Sequence, residues 1–351
     1  MAHDAGVLAQ LHGAGWNRYG WPTEIGGLGG NELHRAVFYE ELAHALVAVP
    51  RQQWTLEVLG PSTLKFAPHL AKEYLPRYLQ GTEWWGQGFS EPEAGSDLAS
   101  LRTRATDDGA GGFVLNGQKI WTSDGATATR LVVLARTGSP ESRHRGLSMF
   151  LVDVDTPGLT VRPIALASGR RDLAEVFFDD VRVPRDRLIG DVGEGWAVTM
   201  FLMQYERGIY GYGVATKLLT ELGRLRDDMA RYGSTTAERD RFGAVYVAVL
   251  QAQARSADTV RRLASSRAVG PDSSIDKLLF TRAEKDVADL ILDVRRRWLI
   301  AGENGAGATE LDTVRAEWWY SRAATIMGGT EQVQCGIVAD HILGLPREAR
   351  R

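Results

Sequence analysis

The sequence predicts an α+β chain in three consecutive segments: helical over 1–85, β over 86–190 and helical again over 191–351. Three observations predict it. Apolar residues recur at helical spacing in the first and last segments, and in short runs of strand type between them. No helical pattern separates the β runs, which argues against a parallel doubly wound sheet and for a small antiparallel β-barrel or sandwich. The last segment holds long helical stretches that suit a four-helix bundle.

In the first segment Asn31 is a suitable N-cap for a helix whose apolar side would carry Leu33, Ala36, Val37, Leu42 and Leu46. A helix pair follows through 63–66 and 70–79. The glycine-rich stretch from Gly20 to Gly30 contains Trp21 and Ile25, so it reads as an ordered loop and not a linker. In the middle segment Phe113-Val114-Leu115 and Lys119-Ile120-Trp121 flank Asn116-Gly117, a dipeptide that favours a type I′ hairpin turn. Further β runs are expected at 131–134, 147–154, 159–164 and 175–178. In the last segment helices are expected over 196–225, 238–264, 275–299 and after Thr330. Breaks fall at Gly270-Pro271-Asp272 and at 302–307.

Composition narrows the function classes. Apolar residues make up 44% and charged residues 24%, as in a soluble globular chain. Lys plus Arg is 41 and Asp plus Glu is 44, a net charge of −3, so there is no overall basic field for nucleic acid. No apolar run reaches the ~18 residues of a membrane span, and the start lacks a signal-peptide pattern. A cytoplasmic location is expected. The single cysteine, Cys335, excludes an intrachain disulfide and a Cys-based zinc site, and its apolar neighbours suggest a buried thiol. The seven histidines make no metal-binding spacing, and there is neither a nucleophile elbow nor a phosphate loop. Gly211-Tyr212-Gly213 lies in a helical pattern, so it is no dinucleotide fingerprint.

Four segments carry chemistry. Gly88-Phe89-Ser90-Glu91-Pro92-Glu93-Ala94-Gly95-Ser96-Asp97 is a turn of small residues whose backbone N–H groups suit close approach to a flat polar ring or a phosphate. A capped surface turn is the plainer reading. Lys119-Ile120-Trp121-Thr122-Ser123-Asp124-Gly125 puts an indole and a hydroxyl two residues apart, on one face of a strand. A core Trp beside a turn Ser would look the same. Gln204-Tyr205-Glu206-Arg207-Gly208 sets a carboxylate in an apolar helix, where it is either paired with Arg or functional. Met327-Gly328-Gly329-Thr330-Glu331-Gln332-Val333-Gln334 joins two helices, with Thr330 as N-cap and N–H groups that suit an anion or a carbonyl.

Together, in this order, these segments resemble the acyl-CoA dehydrogenase family, from about Gly15 to Arg347. Ser90-Glu91-Pro92-x-Ala94-Gly95-Ser96-Asp97, Gly329-Thr330-Glu331-x-Val333-Gln334 and Leu343-Gly344-Leu345-Pro346 are jointly specific. The resemblance implies FAD. Phe89 and Ser90 would meet the flavin pyrimidine edge, Trp121 would pack on the flavin, and Ser123 would approach N5. Ser96 matches a position near both the pyrophosphate and the thioester ligand. Thr330 and Gln332 match cofactor contacts, and Arg239-x-x-Phe242-Gly243 matches a motif that reaches FAD of a neighbouring subunit.

The implied reaction is α,β-dehydrogenation of an acyl-CoA thioester: a carboxylate takes the α-proton while hydride leaves the β-carbon for flavin N5. Many family members place that carboxylate immediately before the Gly-Thr pair, where this chain has Gly328. A smaller set, including isovaleryl-CoA and long-chain acyl-CoA dehydrogenases, places it on the first C-terminal helix before an Arg. Here Glu206-Arg207 stands there, so Glu206 is the expected base. Tyr205, Arg207, Gly328 and Gly329 are expected on the substrate side, with the Gly328 N–H toward the thioester carbonyl. The front end looks shortened, and the family's Gln-x-x-Gly-Gly-x-Gly stretch is replaced at 302–307. The resemblance implies an electron-transferring flavoprotein as acceptor. It also implies a homo-oligomer (dimer or tetramer) or a heterotetramer with a paralogous subunit. An acyl-thioester oxidase, a carrier-protein thioester dehydrogenase and a partner-completing subunit are the alternatives on this fold.

Overall fold

The structure, a computed structural model, describes residues 2–301 and 308–346. The expected break at 302–307 lies outside the described residues. In chain order the helices are α1 (Ala2–Gly13), α2 (Glu32–His44), α3 (Arg51–Phe66), α4 (Pro68–Leu79), α5 (Gly195–Tyr205), α6 (Gly211–Tyr232), α7 (Thr236–Ala264), α8 (Ser273–Ala301), α9 (Ala308–Ser321) and α10 (Glu331–His341). The strands are β1 (Trp85–Gly88), β2 (Arg104–Asp107), β3 (Gly112–Ser123), β4 (Arg130–Arg136), β5 (Leu147–Asp153), β6 (Leu159–Ile164), β7 (Leu173–Pro184) and β8 (Leu188–Ile189). Two compact units result. The first comprises 1–31, 49–166 and 171–206, and the second 32–48, 167–170 and 207–351.

The first unit is built on an eight-stranded sheet in the order β6-β7-β3-β1-β4-β5-β8, with β2 against β3 and β4. Pairing is antiparallel except that β1, and one bridge of β2, run parallel to β4. Its core is Phe113, Leu115, Leu131, Val133, Phe150, Val152, Val176, Phe178 and their neighbours. The glycine-rich loop is ordered, as expected. Trp21 and Ile25 are buried, Trp21 bridges to Gly29, and Gly60 on α3 is bare because a β-carbon there would meet the Trp21 ring at 2.9 Å.

The hairpin expected at Asn116-Gly117 does not form. β3 runs straight through both residues, and the ladder with β7 shifts register between Leu115 and Gly117. Asn116 spends its amide on Asp180: its Nδ2 donates to Asp180 Oδ1 at 3.0 Å, and its Oδ1 accepts from Asp180 N at 2.9 Å. Asp180 has φ +52, so the positive-φ residue of this irregularity sits on β7. Gly117 is needed because a β-carbon would stand 2.7 Å from Thr103. Asn-Gly therefore marks a bulge here and not a turn.

The second unit packs α6, α7 and α8 around Leu218, Leu222, Leu225, Val249, Phe280, Val287, Leu290 and Trp298. α10 lies against α8, and α2 against α6 and α7. The buried side of α2 differs from the expected one. It carries Arg35, Ala36, Phe38, Tyr39 and Leu42, while Leu33 and Val37 are exposed and Leu46 lies beyond the helix. The helix expected over 196–225 is α5 and α6 joined by a π-helical turn at Glu206–Tyr210. Cys335 is exposed, not buried, because α10 turns only Gln334 fully inward. No described helix is long and apolar enough to cross a membrane.

Candidate functional site

In the first unit the expected cofactor residues lie on the loop after β1 and on the end of β3. The loop is tied to the strand backbone: Ile120 N donates to Ser90 O at 2.9 Å. The Phe89 side chain is buried, Ser90 is half-buried and Ser96 is exposed. Asp97, beside Ser96, pairs with Arg143 at 2.7 Å.

A bulge decides what β3 presents. Lys119 pairs with Val176 and Thr122 with Ala174, so β3 holds one extra residue between them. Strict alternation would put Trp121 on the inner face with Lys119 and Leu115. The extra residue switches the parity: Lys119 and Thr122 are buried, whereas Trp121 and Ser123 both face outward. Trp121 pays for this with φ +60, a left-handed backbone rare for a bulky residue, and its ring is 53% exposed. The turn after Ser123 is pinned from α3. Arg51 Nη2 reaches Asp124 Oδ1 at 2.6 Å, and its Nη1 pairs with Asp172.

Beneath the loop is an ion pair that the sequence reading did not single out. Lys119 Nζ donates to Phe89 O at 3.0 Å and to Glu91 Oε1 at 2.8 Å. The Glu91 carboxylate also accepts from Arg102 N at 2.6 Å and Thr103 N at 2.8 Å. Burial pulls the fully enclosed Lys119 down to about 8, although Glu91 opposes this. Burial pushes Glu91 up, but Lys119 and the backbone N–H donors outweigh it and hold the carboxyl below its ordinary value. The available signal was parity, since Lys119 is in phase with Phe113 and Leu115 on one strand face.

Glu206 opens the π-helical turn and is half-buried. Tyr205 before it is buried in the first unit, its ring 5.4 Å from Phe201. In the second unit Arg207 Nη1 donates to Ser273 Oγ and Ser274 Oγ, each at 3.3 Å. Gly208 and Gly211 let the turn seat directly on its neighbours. A β-carbon at 208 would stand 3.0 Å from Leu263 and Thr259, and one at 211 would stand 2.8 Å from Phe280. π-turns that interrupt α-helices are frequent at functional sites. On α8, Asp276 is fully buried and accepts from Thr259 Oγ1 at 2.9 Å, and burial pushes its carboxyl up to about 7 despite Arg255 nearby.

In the same unit Thr330 caps α10, its Oγ1 accepting from Val333 N at 3.2 Å. Gly328 and Gly329 have φ +62 and +91, and a β-carbon on Gly329 would strike Gln334 Nε2. The preceding turn is held by Lys277, whose Nζ donates to Ala324 O at 3.1 Å. Gln332 is exposed on the first turn of α10. Arg239 and Phe242 lie at the start of α7, with Arg239 donating to Ser234 and Thr236 and Phe242 stacked on Tyr246. No group of metal-ligating side chains occurs among the described residues.

Comparison with known proteins covers most of the chain. Family models described as acyl-CoA dehydrogenase N-terminal, middle and C-terminal domains match residues 1–82, 86–181 and 193–343. The acyl-CoA dehydrogenase IpdE1 of Mycobacterium tuberculosis is 37% identical over 345 residues, which is 97% of this chain and 88% of the relative. The solved structure of the Tcur3481-Tcur3483 steroid ACAD superposes with TM-score 0.83 at 26% identity, covering 98% of this chain and 89% of that one. The ChsE4-ChsE5 complex of Mycobacterium tuberculosis superposes with TM-score 0.79 at 27% identity, covering 98% and 90%.

Proposed function

Because this chain belongs to the acyl-CoA dehydrogenase family, oxidoreductases acting on CH–CH groups, we propose that it carries out FAD-dependent α,β-dehydrogenation of an acyl-CoA thioester with Glu206 as the base. The observation that carries this reading is the Glu206–Tyr210 π-turn together with a glycine at 328. A carboxylate stands at one family position for the base and is missing from the other.

The residues present suit a flavin. An exposed indole held at φ +60 beside the Ser123 hydroxyl is a ready stacking platform with a donor at its edge. FAD, when bound, supplies the acceptor for hydride from the β-carbon. Phe89, Ser90, Trp121, Ser123 and Ser96 would hold it, and Thr330 and Gln332 match further cofactor positions of the family. Arg239 and Phe242 would reach the cofactor of a neighbouring subunit. Glu206 takes the α-proton, and Arg207, fixed by Ser273 and Ser274, keeps the turn that carries it in place. The Gly328 N–H would donate to the thioester carbonyl and stabilise the developing enolate.

We further infer a bulky, steroid-derived acyl group, in line with the steroid ACAD to which the chain is similar. An assembly with a paralogous chain is supported by the two-chain ChsE4-ChsE5 and Tcur3481-Tcur3483 structures. Electron-transferring flavoprotein is the proposed acceptor, and the cytoplasm the proposed location. The test is anaerobic bleaching of the purified flavoprotein by a panel of acyl-CoA thioesters, alone and with the paralogue. Bleaching by ring-bearing acyl-CoA is expected, and a flavoprotein that no thioester bleaches would overturn the reading.

A further inference from the structure

We propose that Lys119 is a positioning residue: its ammonium, buried with Glu91, fixes the course of Phe89-Ser90-Glu91 before any cofactor arrives. The proposal rests on the reading of that loop as flavin-contacting and adds the device that sets its shape.

Three consecutive loop residues are held from two consecutive strand residues. Lys119 Nζ takes the Phe89 carbonyl, the Ile120 N–H takes the Ser90 carbonyl, and Lys119 Nζ takes the Glu91 carboxylate, at 3.0, 2.9 and 2.8 Å. Glu91 is anchored in turn by the N–H groups of Arg102 and Thr103 just before β2. Trp121 and Ser123 follow directly on the same strand. The spacing between the loop and the indole platform is therefore set at Lys119, on the inner side of the bulge that turns Trp121 outward. An ammonium has three donors, and two of them are spent on Phe89 O and Glu91.

Stability alone does not account for the pair. Replacing a buried ion pair by well-packed hydrophobic residues of similar volume is often neutral or stabilising, whereas removing one partner is strongly destabilising. A positioning role and a structural role thus part ways in the double variant. A structural pair, once neutralised on both sides, should leave cofactor binding intact. A positioning pair should not.

The test compares wild type, Lys119→Met and Lys119→Met/Glu91→Gln as full-length proteins. FAD affinity is read by flavin fluorescence on titration, and unfolding midpoints are taken without FAD. The double variant, in which Phe89 O and one N–H bonded to Glu91 lose their partners, is expected to unfold at a midpoint between those of Lys119→Met and wild type, yet to bind FAD at least about tenfold more weakly than wild type. A folded double variant that binds FAD within about twofold of wild type would overturn the proposal. Hydrogen exchange on the wild type keeps the test decisive if the variants do not fold. The Ile120 and Glu91 amides, bonded to Ser90 O and Ala94 O, should exchange equally slowly with and without FAD, and loss of their protection on FAD removal would overturn the proposal. A wild-type chain that binds no FAD would overturn the functional reading instead, while exchange in the FAD-free protein still reports whether the loop is fixed.

Discussion

Gly208 rests directly on Thr259: a β-carbon added to it would stand 3.0 Å from the Thr259 methyl, and equally close to Leu263. The turn that carries Glu206 is thus seated on α7 with no side chain between. Thr259 is stiff at χ1 and donates its hydroxyl to the buried Asp276, so it has little freedom to yield. Gly208→Val should therefore destabilise the protein by about 1–3 kcal/mol through overpacking, despite the helix-propensity gain over glycine. It should also shift the turn and slow flavin reduction. Urea denaturation and stopped-flow bleaching measure the two effects, and a variant as stable and as fast as wild type would show that the close packing is without consequence.

Glu206→Gln keeps the shape of the side chain and removes its basicity. Loss of a general base lowers the rate by roughly 10²–10⁴-fold. The variant should fold and bind FAD as wild type does, and its reduction by acyl-CoA should slow within that range. Gly328→Glu in the same background should restore part of the rate if the family's other base position is still in reach. It should also cost on the order of 1–2 kcal/mol, because position 328 has φ +62. Full-rate reduction by Glu206→Gln alone would remove Glu206 from the mechanism.

The helix–β–helix order was readable because apolar period changes near 86 and 191, and the ordered loop was readable because Trp21 and Ile25 stand among its glycines. What escaped the sequence are places where long-range contacts override a local rule. Asn116-Gly117 has ideal hairpin chemistry, but Asp180 and Thr103, distant in sequence, claim its amide and its bare α-carbon. The bulge that switches Trp121 outward leaves no mark in the residues themselves. The buried face of α2 was misread because Leu33 and Val37 are exposed while Arg35 is buried and ion-paired to Glu32 at 3.3 Å. The four motif segments were legible as a family pattern because small, aromatic and carboxylate residues stand at fixed spacing. The buried Lys119–Glu91 pair was not, since it forms across 28 residues.

Asp276 should make stability pH-dependent. It is fully buried, and burial lifts its carboxyl from an ordinary 3.8 to about 7 in the fold. The folded state therefore holds a proton that the unfolded chain has already released between pH 4 and 7. Stability from this group is complete below about pH 4 and is lost as pH rises to about 7, by on the order of 2–4 kcal/mol. Arg255 and Thr259 face the carboxyl and limit the loss. Asp276→Asn keeps an acceptor for Thr259 and should flatten this limb of the stability curve. Denaturant titrations at pH 5 and 8 measure it, and an unchanged pH slope in the variant would assign the dependence to other groups.

Arg51 joins α3 to the turn after Ser123 through Asp124 and Asp172. Its side chain is partly exposed, so loss of the pairs should cost only about 1 kcal/mol in stability. The larger effect should be on placement of Ser123, two residues after Trp121. Arg51→Gln is expected to raise the FAD dissociation constant several-fold while the unfolding midpoint moves little. Equal and small effects on both would mean that the turn holds its shape without Arg51.

Trp121 gives the sharpest separation of stability from function. Truncating a core Trp costs about 3–5 kcal/mol. This ring is more than half exposed, and its backbone is held at φ +60, where a bulky residue is strained by about 1–2 kcal/mol. Asn tolerates that conformation, so in Trp121→Asn the relief of strain offsets much of the lost burial. The FAD-free variant should unfold within about 1 kcal/mol of wild type. Its affinity for FAD should fall by at least about tenfold, since the stacking surface is gone. Fluorescence titration with FAD, paired with urea denaturation of the FAD-free protein, reads both quantities on one sample. A large stability loss with FAD affinity unchanged would make Trp121 an ordinary packing residue.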